Sequence, residues 1–362
     1  MSTTAFSTAI TQARDLLRWR SPLRTELWAA RLTATLEPGE VAPLLRELAD
    51  DESAESRLTL AALSAVNQPP GGADGSVAGD HHAEGADDPA GGDRGADEED
   101  VPGRDSTVGA AYAVAGRGMA ETLPGWVHRM GRVVCDGAWY GKADPYGEQA
   151  LAVLAFRYEN DKEPHLLVVG IDQVNGGLAV DALVEEVKFL DDLSLRPAEP
   201  GEVAGRVLDA FESSDQVMGA LVADTLAAVR PLALSRAGAV PGAVRQAPDD
   251  TVARFDGLPE LPGAREAFEK LAEFVGDRPL WWSPGRAAQF LTSWLPREAI
   301  LSDAAIAAMP EVVRAWSRFS GDHPAVLRQI DADAPRLPLL MADDSLAGLG
   351  KRIARNRQGD HR

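Results

Sequence analysis

The sequence predicts a predominantly helical α+β protein, with an N-terminal helical bundle followed by a three-stranded antiparallel meander packed with helices. Two observations predict this class. Apolar residues recur at helical spacing over most of the chain, and three consecutive stretches rich in Val, Leu and aromatic residues are separated by short turn motifs. The chain has 362 residues, of which 45% are hydrophobic, so a sizeable core can form.

Residues 1–66 are predicted to form the small helical bundle. The helical stretches end at strong stop signals, Ser21-Pro22 and Pro38-Gly39. They are expected at about 5–20, 23–35, 40–49 and 53–66. Because about sixty residues make only a marginal core, we expect the bundle to pack on the rest of the chain or on another chain.

Residues 67–108 are predicted to be a disordered acidic linker. This segment contains 11 acidic residues and two arginines, and it has almost no large apolar residue. Such a segment cannot bury enough surface to offset the entropy of ordering. We expect an extended, self-repelling tether, and alternatively one that binds a basic partner or the basic tail of this chain.

Residues 109–240 are predicted to be an α+β region. A helix at about 109–122 leads into an irregular, aromatic-rich stretch, 124–149. Strands are expected at 150–158, 165–172 and 178–186, joined by turns at Asn160-Asp161 and Asn175-Gly176-Gly177. Since both faces of this meander are apolar, helices are expected to cover at least one of them, the candidates being about 201–212 and 215–230.

Residues 241–362 are predicted to be a helical C-terminal region packed on the preceding one. A Pro- and Gly-rich passage at 231–263 interrupts the pattern and contains no clear strand. Helices are then expected at about 264–275, 284–294, 303–319, 323–331 and 343–356.

Composition argues against several classes of partner. The net charge is −20, which disfavours nucleic acids and anionic membranes. Cys135 is the single cysteine, so neither an intramolecular disulfide nor a thiolate-rich zinc site can form. Because the sequence shows neither a signal peptide nor a membrane span, we expect a cytoplasmic protein.

The sequence contains no recognised catalytic or cofactor-binding motif. The sequence has no zinc-protease helix, no nucleophile elbow, no EF-hand loop and no glycine-rich dinucleotide motif. The segment from Ser345 to Arg352 resembles a phosphate loop only loosely, since Arg352 stands where a Ser or Thr belongs. No cofactor, metal ligand or catalytic residue is therefore predicted.

Asp172, Asp181 and Asn175 are the candidate binding residues. If Asn175-Gly176 forms the turn, Asp172 stands opposite Ala179; if Gly176-Gly177 forms it, Asp172 faces Asp181 directly. In both registers the two carboxylates share one face. Facing carboxylates need a cation, a proton or an arginine between them, so the alternatives are a solvated pair, a metal or acid-base site, and a recognition surface.

Trp281 and Trp282 are candidate anchors for a partner. Adjacent residues cannot share one helix face, so one of them is available for a surface role while the other packs in an aromatic core. The C-terminal tail is locally basic, with cations at Lys351, Arg352, Arg355, Arg357 and Arg362.

Two segments resemble a group of uncharacterised actinobacterial cytoplasmic proteins. The first, residues 144–183, contains the Asp-x-Tyr-Gly lead-in, a strand ending near a histidine, and an aspartate followed by a Gly-Gly turn. The second, residues 281–321, begins WWSPGRAAQFLTSW. The resemblance implies a soluble bacterial protein and brings no activity, cofactor or site residue with it.

These observations favour a non-enzymatic interaction or regulatory protein that binds a protein partner. One alternative is a metal-assisted, hydrolase-like enzyme using Asp172 and Asp181, with Asn175 orienting the substrate. Another is a nucleic-acid-associated protein that binds through its basic C-terminal tail.

Overall fold

The computed structural model describes residues 4–67, 122–276 and 278–359, and it confirms a predominantly helical α+β protein. The predicted linker beyond Asn67 and nearly all of the predicted helix at 109–122 lie outside the described residues. The chain divides into two compact units. We call them the N-terminal unit, which comprises 1–134, 157–163 and 227–241, and the sheet unit, which comprises 135–156, 164–226 and 242–362.

Four helices begin the N-terminal unit, close to their predicted bounds. Ser21 and Ser53 cap two of them, accepting hydrogen bonds from the backbone N–H groups of Arg24 and Ser56. The helices are α1 (Thr4–Trp19), α2 (Pro22–Thr35), α3 (Pro38–Asp50) and α4 (Ala54–Val66). Helix α4 packs against the other three and is buried along nearly its whole length, so it forms the centre of the bundle.

The sheet has five strands, so the predicted three-stranded meander is incomplete. The strands are β1 (Val133–Lys142), β2 (Gln149–Tyr158), β3 (His165–Asp172), β4 (Leu178–Glu185) and β5 (Arg196–Pro197), in the order β4-β3-β2-β1-β5. Strands β2 to β4 match the prediction. Strand β1 lies in the stretch expected to be irregular. The sequence did not predict it because its two glycines and mixed polar residues hide the apolar pattern of a strand.

Both faces of the sheet are covered. Helix α5 (Pro200–Gln216) packs against β4. The segment 187–195 contributes apolar side chains to the other face, where they pack with Val153 and Val168. Tyr140 and Lys142, two residues apart on β1, share one face, and Asp172 and Asp181 lie on the opposite one.

The predicted helix at 215–230 is wrong in position. Helix α6 runs from Asp224 to Gly238 and continues through Pro231. The preceding residues are irregular because Gly219 has a φ of 76°, a left-handed conformation that a helix cannot include.

The C-terminal helices surround an aromatic core built on Trp282, Phe290 and Trp316. Residues 284–294, expected as one helix, form α8 (Pro284–Gln289) and a π-helical turn (Phe290–Trp294). The remaining helices are α7 (Ala264–Val275), α9 (Leu295–Glu298), α10 (Asp303–Phe319), α11 (Pro324–Asp333), α12 (Leu337–Ala342) and α13 (Leu349–Gly359).

Candidate interaction surface at the edge of the sheet

An exposed apolar loop joins α5 to α6. It comprises residues 217–222 and is called the apolar loop below. Met218 is 98% exposed and Leu221 is 95% exposed, while Val217 and Val222 are nearly half exposed. Full burial of one such side chain is worth about 1.5–3 kcal/mol. The loop therefore presents a concentrated apolar surface that a second molecule could cover.

Hydrogen bonds to edge strand β4 hold both ends of the apolar loop. The Ser214 hydroxyl donates to the carbonyl oxygen of Ala179 at 3.0 Å. The Ala223 N–H donates to the carbonyl oxygen of Val180 at 2.8 Å, and the Thr225 hydroxyl donates to the Asp181 carboxylate. The ends are thus anchored, and the apolar residues between them are exposed.

Acidic residues border the apolar loop. Asp215 and Asp224, on either side of it in sequence, are both exposed. Residues 207–229 contain no Lys or Arg, and neither do residues 171–187, which form the adjoining hairpin. The loop is consequently an apolar tip within an acidic stretch of chain.

Asp172 and Asp181 share one face of the sheet, but neither predicted register is correct. Asp172 is opposite Leu178 and Asp181 is opposite Gly170, because a bulge at Val180 inserts one extra residue into β4. The two carboxylates consequently do not face each other. Asp181 instead anchors the apolar loop through Thr225.

Asn175 caps the hairpin turn together with Asp172. Its side-chain amide donates to the Asp172 carboxylate at 2.6 Å, and the backbone N–H groups of Val174 and Asn175 donate to the same carboxylate. This Asx-type turn satisfies the carboxylate without a cation. In the part of the chain that the structure describes, no group of three or more His, Cys, Asp or Glu residues could hold a metal ion.

The two adjacent tryptophans occupy different environments. Trp282 is 1% exposed, and its indole N–H donates to the hydroxyl of Ser317 at 2.8 Å. It has no exposed surface to offer a partner. Trp281 is half-buried beneath the guanidinium of Arg286, which lies 4.1 Å from the centre of its ring. Trp281 is therefore also engaged within the sheet unit.

The basic tail is only partly described. Lys351 is buried, and its ammonium donates to the carbonyl oxygen of Pro296 at 2.7 Å. Arg352 is exposed, while the side chains beyond Ala354 lie outside the described residues. Lys351 is thereby removed from the predicted basic surface.

The residues that now stand out, Met218 and Leu221, were missed because the sequence pattern placed this segment inside a helix. The available signal was Gly219 in the middle of an apolar run bordered by aspartates.

No known protein family, curated protein or solved structure matches this chain. Among the described residues, no helix has the length and apolar character needed to cross a bilayer.

Proposed function

We propose that this chain is a non-enzymatic interaction protein that binds a protein partner through the apolar loop. The observation that carries the proposal is the almost complete exposure of Met218 and Leu221 on a loop whose two ends are anchored to β4. Scattered apolar residues are common on surfaces. Two large ones, three residues apart and flanked by two half-exposed valines, form a patch of the kind that marks interaction sites.

The partner is defined by complementarity to this surface. An apolar pocket would receive Met218 and Leu221, and methionine adapts well to irregular apolar pockets. Lysine and arginine residues around the pocket would face Asp215 and Asp224. The partner is therefore a protein with an apolar pocket and a basic rim, which also argues against an anionic membrane. With only Cys135 as a thiol, we place the interaction in a reducing compartment such as the cytoplasm.

Site-specific photo-crosslinking tests the proposal. The full chain carries benzoylphenylalanine at position 218, and a matched protein carries it at Leu339, another exposed apolar residue of the sheet unit. We expect position 218 to crosslink one protein of the source organism selectively. With that protein purified, Leu221→Glu should weaken binding at least tenfold and Leu339→Glu should not.

The dependence of binding affinity on salt concentration is the second measurement. Because the border of the loop is acidic, affinity should fall as ionic strength rises, chiefly through slower association. Equal crosslinking at positions 218 and 339, or binding that is insensitive to Leu221→Glu, would overturn the proposal. If position 218 crosslinked to a second copy of this chain, the partner would be that copy, and light scattering would detect the homodimer.

A further inference from the structure

A long polar cleft lies on the other face of the sheet from Asp172 and Asp181. It consists of two adjoining cavities of about 970 and 1190 Å³, which share Tyr140, Arg206, Pro248 and Asp249 as lining residues. We call the two together the α5 cleft. Every lining residue belongs to the sheet unit. The smaller cavity falls within the range of about 300–1,000 Å³ that is typical of small-molecule sites, and the larger one slightly exceeds it.

One wall of the α5 cleft is a polar stripe of helix α5. Glu202, Arg206, Asp209, Ser213 and Gln216 recur at intervals of three or four residues, which places them on one side of the helix. These residues line the cleft along most of the length of the helix.

The facing wall is the segment 244–251, which several contacts hold against α5. The Val244 N–H donates to the carbonyl oxygen of Gly201 at 3.0 Å, and Arg206 donates to the carbonyl oxygen of Pro248 at 3.0 Å. Arg245 forms ion pairs with Asp209 and Glu212. The wall is thus fixed in place before any ligand arrives.

Three cations converge at Tyr140 in the larger cavity. Arg196 is directly opposite Tyr140 in the pairing of β1 with β5, and Lys142 is two residues further along β1. The side chains of Tyr140, Lys142 and Arg196 therefore project from one face of the sheet. The guanidinium of Arg206 lies 4.7 Å above the Tyr140 ring.

Lys142, Arg196 and Arg206 form no ion pair with a carboxylate of the described residues. The nearby Arg254, in contrast, pairs with Asp250 at 3.1 Å. Lys142 donates to the carbonyl oxygen of Ser320. Burial lowers the pKa of Lys142, and repulsion from Arg196 lowers it further, while Asp144 partly opposes both. These like charges raise the local positive potential, which the carboxylates of Asp144 and Asp249 on the same cavity partly offset.

Tyr140 adds a neutral hydrogen-bond donor at the same place. Burial raises the pKa of Tyr140 to about 12, so its phenol keeps its proton at physiological pH. The Gln173 amide donates to the phenol oxygen at 3.3 Å. That oxygen is thus already an acceptor, which leaves its O–H to donate to a ligand.

We propose that the α5 cleft binds a small polar molecule through an anionic group, either a carboxylate or a phosphate. Lys142, Arg196 and Arg206 bind the anion and Tyr140 donates a further hydrogen bond to it. Two carboxylates that form no ion pair in the described structure, Glu199 and Glu202, lie along the same cavity and accept hydrogen bonds from hydroxyl or amino groups of the ligand. This site is separate from the apolar loop and does not depend on the proposed partner.

Calorimetric titration with pyrophosphate and with citrate, at constant ionic strength, tests the proposal and distinguishes phosphate from carboxylate chemistry. Full-length Arg206→Met and Lys142→Met are compared with Arg265→Met and Lys188→Met, which replace exposed cations outside the cleft. We expect at least one anion to bind the wild type and both controls, and each cleft variant to weaken that binding at least tenfold.

A measurement on the unmodified protein covers the case in which a cleft variant does not fold. The chain has four tyrosines, so isotope labelling of tyrosine gives an NMR spectrum simple enough to assign Tyr140. The Tyr140 signal should shift when the anion binds. Leu221→Glu should leave the titration unchanged. Binding of neither anion, equal binding by cleft and control variants, or no shift at Tyr140 would overturn the proposal.

Discussion

Glu26 and Arg236 form an ion pair in the interior of the N-terminal unit, with the Glu26 side chain 0% exposed and the Arg236 side chain 1% exposed. Glu26 also accepts hydrogen bonds from the Tyr158 hydroxyl and the Gly131 backbone N–H. The pair therefore joins segments that are about 210 residues apart in sequence and that surround a single buried carboxylate.

Removing one partner of this pair should destabilise the protein strongly. We expect Glu26→Ala to lower the free energy of unfolding by about 3–5 kcal/mol, because it leaves the Arg236 guanidinium buried without its counterion. Urea denaturation measures the loss. The double replacement Glu26→Leu/Arg236→Met should recover part of it, because no uncompensated charge remains.

An exposed pair in the same unit supplies the control. Arg14 and Glu55 are 3.1 Å apart, and the Arg14 side chain is largely exposed, so Glu55→Ala should cost about 0–1 kcal/mol. Similar losses for Glu26→Ala and Glu55→Ala would contradict a central role for the buried pair.

Gly205 should be required for the close approach of the cleft wall to α5. A Cβ atom at Gly205 would lie 1.7 Å from the carbonyl oxygen of Val244, so Gly205→Ala must displace one of them. We expect a loss of about 1–3 kcal/mol in the free energy of unfolding. Faster hydrogen exchange in segment 244–251 should accompany it.

Gly285→Ala is the matched control for that substitution. Gly285 also lies in a helix of the sheet unit, and the nearest atom to its added Cβ is 4.0 Å away. This variant should be neutral or more stable by about 0.4–1 kcal/mol, since alanine restricts the unfolded chain. If Gly205→Ala were equally well tolerated, the wall would not depend on the glycine.

Ser56 should control the ionisation of Asp51. The buried Ser56 hydroxyl donates to the Asp51 carboxylate at 2.6 Å, and Ser53 donates to it at 2.8 Å. These hydrogen bonds lower the pKa of Asp51 below its ordinary value. Because the folded-state pKa is depressed, the resulting stability is present above the unfolded-state pKa, about 3.9, and is lost as the pH falls through the folded-state value.

Carboxyl NMR titration of wild type and Ser56→Ala checks this relationship. In the variant, the pKa of Asp51 should rise toward the ordinary value, and the stability difference from wild type should shrink at acid pH. Ser7→Ala, an exposed position on α1, should leave the Asp51 titration unchanged. An unaltered Asp51 pKa in Ser56→Ala would contradict the assigned cause.

Local patterns predicted the elements that carry their own signal. Helices α1 to α4, α7 and α10 lie close to their predicted bounds, because each combines an apolar stripe with a proline, serine or glycine boundary. Strands β2 to β4 were recognisable from their Val- and Leu-rich runs and their turns. Strand β1 lacks such a run. It is stabilised by pairing with neighbouring strands and not by its own composition, so the sequence did not predict it.

The candidate sites depended on tertiary structure more than the individual helices and strands did. Asp172, Asp181 and Asn175 could be placed on one hairpin from sequence, but the bulge at Val180 decided their register. Met218 and Leu221 fit a helical pattern, but the segment is irregular around the left-handed Gly219 and both side chains are exposed.

The sequence by itself determined the helical α+β class, the acidic character and the absence of a recognised catalytic signature, because composition and short-range periodicity encode these properties. Tertiary structure decided which distant residues meet. Arg196 and Arg206 converge on Tyr140, and Arg236 reaches Glu26 across most of the chain. Such contacts arise from strand pairing and core packing between segments far apart in sequence, to which no local pattern corresponds.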